Sequence, residues 1–400
     1  MFNFDYEARI RRYQDALREE GVDFAITISA ANVRYLTGFW GYATRAEYSE
    51  PGRLTCVVVP QKGTPLLVVP KIERSFAQAA TRHLPIEIRH HVEWTTPDDP
   101  MDPWEIVRNY IRKSGGAPNA RLSIERPQLT ERAYIPIQEA FDGLEIVTSS
   151  GILERHRDIK DEVELRLLKG CGDLASSMFN VELDAIKRGR CRECDVAMLG
   201  WQHNVIACAE CIETSTDNDE YVDSPIGMSA QLLTSGPRLS RAHGTASTRF
   251  IEPTDIIAID LCRVPFLLGY RIGFGRVISQ RPLNSTEQDI NATVKKSYEV
   301  GVSMLRPGSV VSEIDAAVRN VLQEGGLGDY IMHRCGRTTG IESEIRMQEG
   351  VQRTLEADMV LSFEPSIYMD GFQSRIESTF KVTSDVPELL TRVPEQMIMI

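Results

Sequence analysis

Two short apolar runs, residues 54–60 (LTCVVVP) and 65–70 (PLLVVP), flank Lys62-Gly63 and predict paired, buried strands. Helical patterns surround them. Tyr6, Ile10, Tyr13 and Leu17 recur at helical spacing, and Gly21 stops that helix. Residues 23–28 predict a short buried strand, residues 29–32 a turn, 104–112 an amphipathic helix and 121–125 a further strand. Strands alternating with helices imply a largely parallel or mixed sheet, and hence an α/β domain.

A chain of 400 residues suggests two domains. The boundary is expected at the charged segment 156–160 (HRDIK), giving domains 1–156 and 157–400. Beyond it a helix is expected over 162–183, and a second helix over 193–212. Strands follow at 231–234, 255–262 and 269–278, then helices at 285–305 and 311–324. Strands at 359–364 and 375–382 close the chain. Runs of strands beside runs of helices indicate an α+β second domain.

The net charge of −12 argues against nucleic acid or an anionic membrane as a partner. No secretory leader is expected in residues 1–14, and no apolar run reaches the roughly 18 residues of a membrane span. Eight cysteines in 400 residues are too sparse for a disulfide scaffold, so a reduced, cytoplasmic protein is expected.

Several pieces, in order, resemble the creatinase/prolidase/aminopeptidase P family (peptidase family M24). They are Gly21-Val-Asp23, residues 32–38 (NVRYLTG), 157–160 (RDIK), Ala242-His243-Gly244, 255–260 (DIIAID), Gly269-Tyr270, Arg276, 305–308 (LRPG), 363–368 (FEPSIY) and Arg375-Ile376-Glu377. The resemblance implies a two-domain α/β protein: a creatinase-type N-terminal domain and an α+β pita-bread C-terminal domain. It also implies a homodimer and a small-molecule substrate.

Metal-dependent members of that family hold two divalent ions with two Asp, one His and two Glu. By resemblance this chain keeps Asp260, Glu364 and Glu377. Gly273 stands at the second Asp position, Arg337 at the His position, and Glu344 at a downstream His position that serves the substrate. An arginine stays protonated and has no lone pair for a metal, yet its planar fork fits carboxylates. The expectation is therefore a site without metal, with Arg337 replacing the ionic charge among the three carboxylates. Creatinase is such a member, and its base matches His243; its substrate-carboxylate arginine matches Arg53. The glutamate that precedes Arg276 in creatinase is missing, which makes creatine itself a poor substrate.

Cys191, Cys194, Cys208 and Cys211 form two C-x2-C pairs, otherwise a zinc signature. On one helix rising 1.5 Å per residue the pairs would lie roughly 25 Å apart, too far for four thiolates to converge on one zinc ion. His83, His90 and His91 are expected to be solvated. Cys335 beside His333 lacks an orienting group for nucleophilic work, and Ser240 fits a turn. Gly325-Gly326 predicts a helix stop rather than a phosphate loop. The acidic segment 214–228 is expected to be a solvated loop, with covering the site as the alternative.

Three functions are open at this point. The leading expectation is a metal-independent, creatinase- or ectoine-hydrolase-like enzyme that cleaves a C–N bond of a small carboxylate-bearing compound. His243, Glu364 and Glu377 would be catalytic, and Arg53, Arg337, Glu344 and Asp260 would bind substrate, with no cofactor. The second is a metal-dependent Xaa-Pro dipeptidase-like peptidase or lyase whose ligands have shifted to Glu344, His333 or His243. The third is a non-enzymatic binding protein.

Overall fold

The computed structural model describes residues 2–41, 54–92, 103–116, 119–125, 137–139, 141–148, 151–215, 231–262, 264–342 and 345–400. They divide into two compact units, one spanning Asn3–Arg157 and one made chiefly of the residues from Asp158 on.

The first unit contains α1 (Tyr6–Glu19), β1 (Phe24–Thr27), α2 (Ala30–Thr37), β2 (Cys56–Pro60), β3 (Leu66–Pro70), β4 (Glu87–His91), α3 (Pro103–Lys113), β5 (Arg121–Ile124) and β6 (Glu145–Thr148). Its mixed sheet runs β4-β3-β2-β1-β5-β6, with β2 antiparallel to both neighbours. Ile26, Val58, Val68 and Leu122 of the sheet pack with Val107 and Ile111 of α3. Asp5 caps α1 by accepting from the Ala8 amide at 2.8 Å. Asp23 accepts from the Arg121 amide at 2.8 Å and the Gln61 side chain at 2.6 Å, which fixes the entry to β1.

Two expectations fail in this unit. The turn expected at residues 29–32 is the start of α2, because the Ser29 hydroxyl caps the Asn32 amide and Gly38, at φ 74°, ends the helix. His91 is fully buried rather than solvated, with its Nε2 2.9 Å from the Leu54 carbonyl oxygen. As the last residue of β4 it lies inside the sheet's cover.

The second unit contains α4 (Glu162–Lys187), α5 (Glu193–Ser215), β7 (Leu232–Ser235), β8 (Ile256–Asp260), β9 (Gly275–Ser279), α6 (Ser285–Ser303), α7 (Val311–Glu324), β10 (Gly336–Thr338), β11 (Arg346–Met347), β12 (Val360–Phe363), β13 (Ser366–Met369) and β14 (Phe372–Lys381). Its main sheet follows β11-β10-β12-β14-β9-β8-β7, and β13 pairs with β14. Reciprocal capping boxes start α4 (Asp161, Glu164) and α6 (Asn284, Glu287). The strand expected over 269–278 begins only at Gly275. Leu268 and Gly269 have positive φ, and Leu267 and Tyr270 close a tight backbone pair there.

β14 decides where the site lies. Side chains alternate across a strand. Phe372, Ile376 and Phe380 enter the apolar core with Val294 and Tyr298 of α6 and Ile314 and Val318 of α7. Gln373, Arg375, Glu377 and Thr379 therefore share the opposite face, and all four are buried.

α5 runs unbroken through Gly200, so the cysteine pairs stay separated along it. A Cβ at Gly200 would fall 1.9 Å from Glu182 Oε1, so glycine is what lets α4 and α5 approach. The buried Glu182 accepts from Gln231 at 2.6 Å, and burial pushes its carboxyl up to about 8. A raised carboxyl favours the folded state only while protonated. Its unfolded counterpart ionises near 4.5, so stability falls as pH rises from there to about 8. Glu182→Gln is thus expected to add several kcal/mol at pH 8 and little near pH 5. Chemical denaturation at the two pH values measures this; equal gains at both would contradict it.

Candidate active site

Three adjacent strands set the geometry. Asp260 of β8 pairs in register with Gly275 of β9, and Gly275 pairs with Glu377 of β14. Gly275 has no side chain between the two acids. A Cβ there would meet Arg375 Nε and Glu377 Oε2, both at 3.2 Å. The glycine thus leaves room for the Arg375 guanidinium. On the other side Arg337 of β10 pairs with Ser362 of β12, and Ser362 pairs with Thr379 of β14. Glu364 follows β12 directly, its amide held by the Cys335 carbonyl at 2.7 Å.

The sequence expectation placed Arg337 among all three carboxylates. It ion-pairs with Glu364 and lies 3.5 Å from Glu377. Asp260 is instead held by Arg375, at 2.8 Å. Arg375 also holds Glu364 at 2.8 Å and Glu377. Two guanidiniums thus share three buried carboxylates. Reading the sequence missed Arg375 as a site residue. The signal was present: two residues apart on one strand, it had to share a face with Glu377.

Further groups complete the cluster. Ser362 donates to Glu377 Oε1 at 2.6 Å. Tyr368 accepts from Arg375 at 3.1 Å, and its oxygen lies 2.7 Å from His333 Nε2. Burial and Arg375 lower the His333 pKa, so the ring is neutral at pH 7. Arg276, fully buried, donates to the carbonyls of Glu377 at 2.5 Å and Gly275 at 2.8 Å, which clamps β9 to β14.

The electrostatics separate the acids. Burial pushes Asp260 up to about 8, outweighing the pull of Arg375. Burial works against Glu377 ionising too, but Arg375, Arg337 and the Ser362 hydroxyl overcome it and hold Glu377 at about 2. Asp260 Oδ1 is buried and has no hydrogen-bond partner among the described residues.

His243 lies in the exposed turn between β7 and β8. Thr245 of that turn bridges Leu232, which is the register partner of Asp260. The turn therefore borders the strand next to Asp260. Arg53, Glu344 and most of segment 214–228 lie outside the described residues. Cys335 is buried, and burial raises its thiol well above the usual range, which disfavours a nucleophilic thiolate.

This fold and buried polar cluster define a two-domain pita-bread protein with a creatinase-type N-terminal domain. Residues 167–384 match metallopeptidase family M24, and residues 9–159 match the creatinase/prolidase N-terminal domain. The chain belongs to family M24. It is 26% identical over 398 residues to the putative dipeptidase YkvY of Bacillus subtilis, covering 98% of this chain and 99% of that protein. It is 25% identical over 397 residues to the agropine synthesis cyclase of Rhizobium rhizogenes, covering 96% and 95%. The Xaa-Pro dipeptidase structure from Bacillus anthracis superposes with a TM-score of 0.79 at 23% identity, covering 99% of this chain and 100% of that one.

These findings overturn the expected metal-independent, creatinase-like function. YkvY is named a putative dipeptidase, a Lactobacillus helveticus protein matched over 97% of this chain is named an Xaa-Pro dipeptidase, and the matched family is one of metallopeptidases. The expectation leaned on the changes at Gly273 and Arg337, and altered ligand positions do not identify a substrate.

The family implies metal ions, and the donor set of this chain does not fit a pair of them. Arg337 and Arg375 occupy the carboxylates that would coordinate. A Cβ at Gly273 would fall 2.0 Å from Ser362 Oγ and 2.2 Å from Glu377 Oε1, so no aspartate has room there. Among the described residues no group of three His, Cys, Asp or Glu side chains could hold a metal ion.

Proposed function

We propose that this chain is a hydrolase acting on a C–N bond of a dipeptide-sized substrate, with the chemistry beside Asp260, Glu364 and Glu377. The observation that carries this reading is the near-full-length similarity to a protein named a dipeptidase. The buried acids support it, because a polar cluster held in place by two arginines can orient the polar groups of a substrate or a water. The cytoplasmic location expected from the sparse cysteines and the homodimer implied by the resemblance belong to the same reading, and sedimentation tests the dimer.

A panel of dipeptides, Xaa-Pro members included, tests the activity, with and without added manganese or zinc. Release of free amino acids is expected from some members. Glu364→Gln is expected to lower the rate at least about a hundredfold. No release from any dipeptide under any metal condition would sink the reading.

Ring closure is the second reading. A relative named a cyclase is 25% identical to this chain, against 26% for the putative dipeptidase. Product mass separates the two, since hydrolysis adds one water and ring closure by condensation loses one.

A further inference from the structure

We infer that Glu182 and Gln231 form a neutral acid–amide pair, closed by a proton on Glu182, and that this pair is a pH-sensitive tether holding the start of β7 to α4.

Glu182 is fully buried on α4, and Gln231 stands immediately before β7. Gln231 Nε2 donates to Glu182 Oε1 at 2.6 Å. Two more atoms of the same side chains, Glu182 Oε2 and Gln231 Oε1, are buried without a hydrogen-bond partner among the described residues. Both are acceptors while Glu182 is ionised, so nothing can join them. A proton on Oε2 turns one of them into a donor. The carboxyl and the carboxamide then meet through two parallel hydrogen bonds, and a single proton satisfies both orphaned atoms. Leaving them unmet carries the desolvation cost of two buried polar groups.

The surroundings supply no charge that would hold Glu182 ionised. On α4 the neighbouring Asp184 and Lys187 are exposed. On α5, Glu193 is taken up by Ser235, Ser247 and Arg238, and Asp195 by Arg192. His203 Nε2 lies 2.5 Å from the Ser177 hydroxyl. β7 carries no titratable side chain. Burial and Gln231 are what act on the Glu182 carboxyl, and burial prevails.

The tether lies next to the candidate site. Leu232, the residue after Gln231, is the register partner of Asp260 and bridges Thr245 in the His243 turn. When Glu182 ionises, its proton leaves to solvent and its charge faces the Gln231 oxygen in a buried place. Opening the pair lets water reach the carboxylate and frees the first rung of β7. A carboxyl raised to about 8 when closed, and ionising near 4.5 when open, holds the tether fully below 4.5 and loses it as pH rises to about 8.

Two measurements on the full chain test this. Infrared titration of protein labelled with carbon-13 glutamate separates glutamates from Asp260. Wild type is expected to show the label-shifted carbonyl stretch of a protonated acid at pH 6 and to lose it by pH 9, and Glu182→Gln is expected to diminish it at pH 6. Hydrogen exchange, expressed as protection relative to the unstructured peptide at the same pH, reads the tether. Protection over residues 231–235 is expected to fall at least about tenfold from pH 6 to pH 8 in wild type. It is expected to fall less in Glu182→Gln, whose amide cannot ionise. Gln231→Met removes the amide and keeps the acid, and is expected to lower protection already at pH 6. A wild type with no label-shifted acid band at pH 6 would overturn the inference without any variant. So would a band unchanged in Glu182→Gln, or protection with the same pH dependence in wild type and Glu182→Gln.

Discussion

Arg375→Met is expected to cost the C-terminal unit about 3–5 kcal/mol, the usual loss when one partner of a buried ion pair is removed. Arg375 is 5% exposed and holds Asp260, Glu364 and Glu377 together. Methionine fills similar space and supplies no charge, which leaves three buried carboxylates against Arg337 alone. That loss is a large share of the 5–15 kcal/mol typical of a domain. Denaturant unfolding, followed through the transition of the C-terminal unit, measures it. A variant within about 1 kcal/mol of wild type would show that water, not Arg375, solvates these acids.

The pH dependence sharpens this prediction. Arg375 and Arg337 hold Glu377 at about 2, against 4.5 for an ordinary glutamate. A depressed carboxyl gives stability that is present above its unfolded value and lost as pH falls through its folded value. In wild type the Glu377 contribution is thus full at pH 7 and declines between about 4.5 and 2. In Arg375→Met the orphaned acids take up protons instead. The deficit relative to wild type is expected to shrink as pH falls from 7 to 5.

Gly273→Ala is expected to destabilise the same unit by about 2–3 kcal/mol, the upper part of the usual cost of overpacking a tight core. Its Cβ would meet Ser362 Oγ at 2.0 Å, Glu377 Oε1 at 2.2 Å and Ser362 Cβ at 2.8 Å. None of these can yield easily, because Ser362 lies in the middle of β12 and Glu377 is held by two arginines. Adding Ser362→Gly removes the closest atoms, and the double variant is expected to recover part of the loss. A double-mutant cycle gives the coupling energy. If Ser362→Gly brings no recovery, the steric account fails.

The sequence also speaks to why these positions matter. The helix stops, capping residues and apolar periods of α1, α4, α6 and α7 are local features, so their existence could be read residue by residue. Asp260, Glu364, Glu377 and Arg337 were legible as one site because each sits in a recognisable motif, and the structure brings all four together. The helical start at Ser29 was misread because a cap and a turn share the same residues until the backbone decides. His91 was misread because burial depends on what covers a strand end.

By itself the sequence determined the two-domain α/β architecture and the acids that meet in the second domain, since periodicity and motif order are properties of the chain. Only the tertiary structure decided how those acids are neutralised. Glu377 lies over a hundred residues beyond Asp260 and Gly275, and strand register alone aligns the three. That register opens the gap at Gly275 into which Arg375 fits. Which guanidinium meets which carboxylate is set by distances across the sheet, and a linear chain does not carry those.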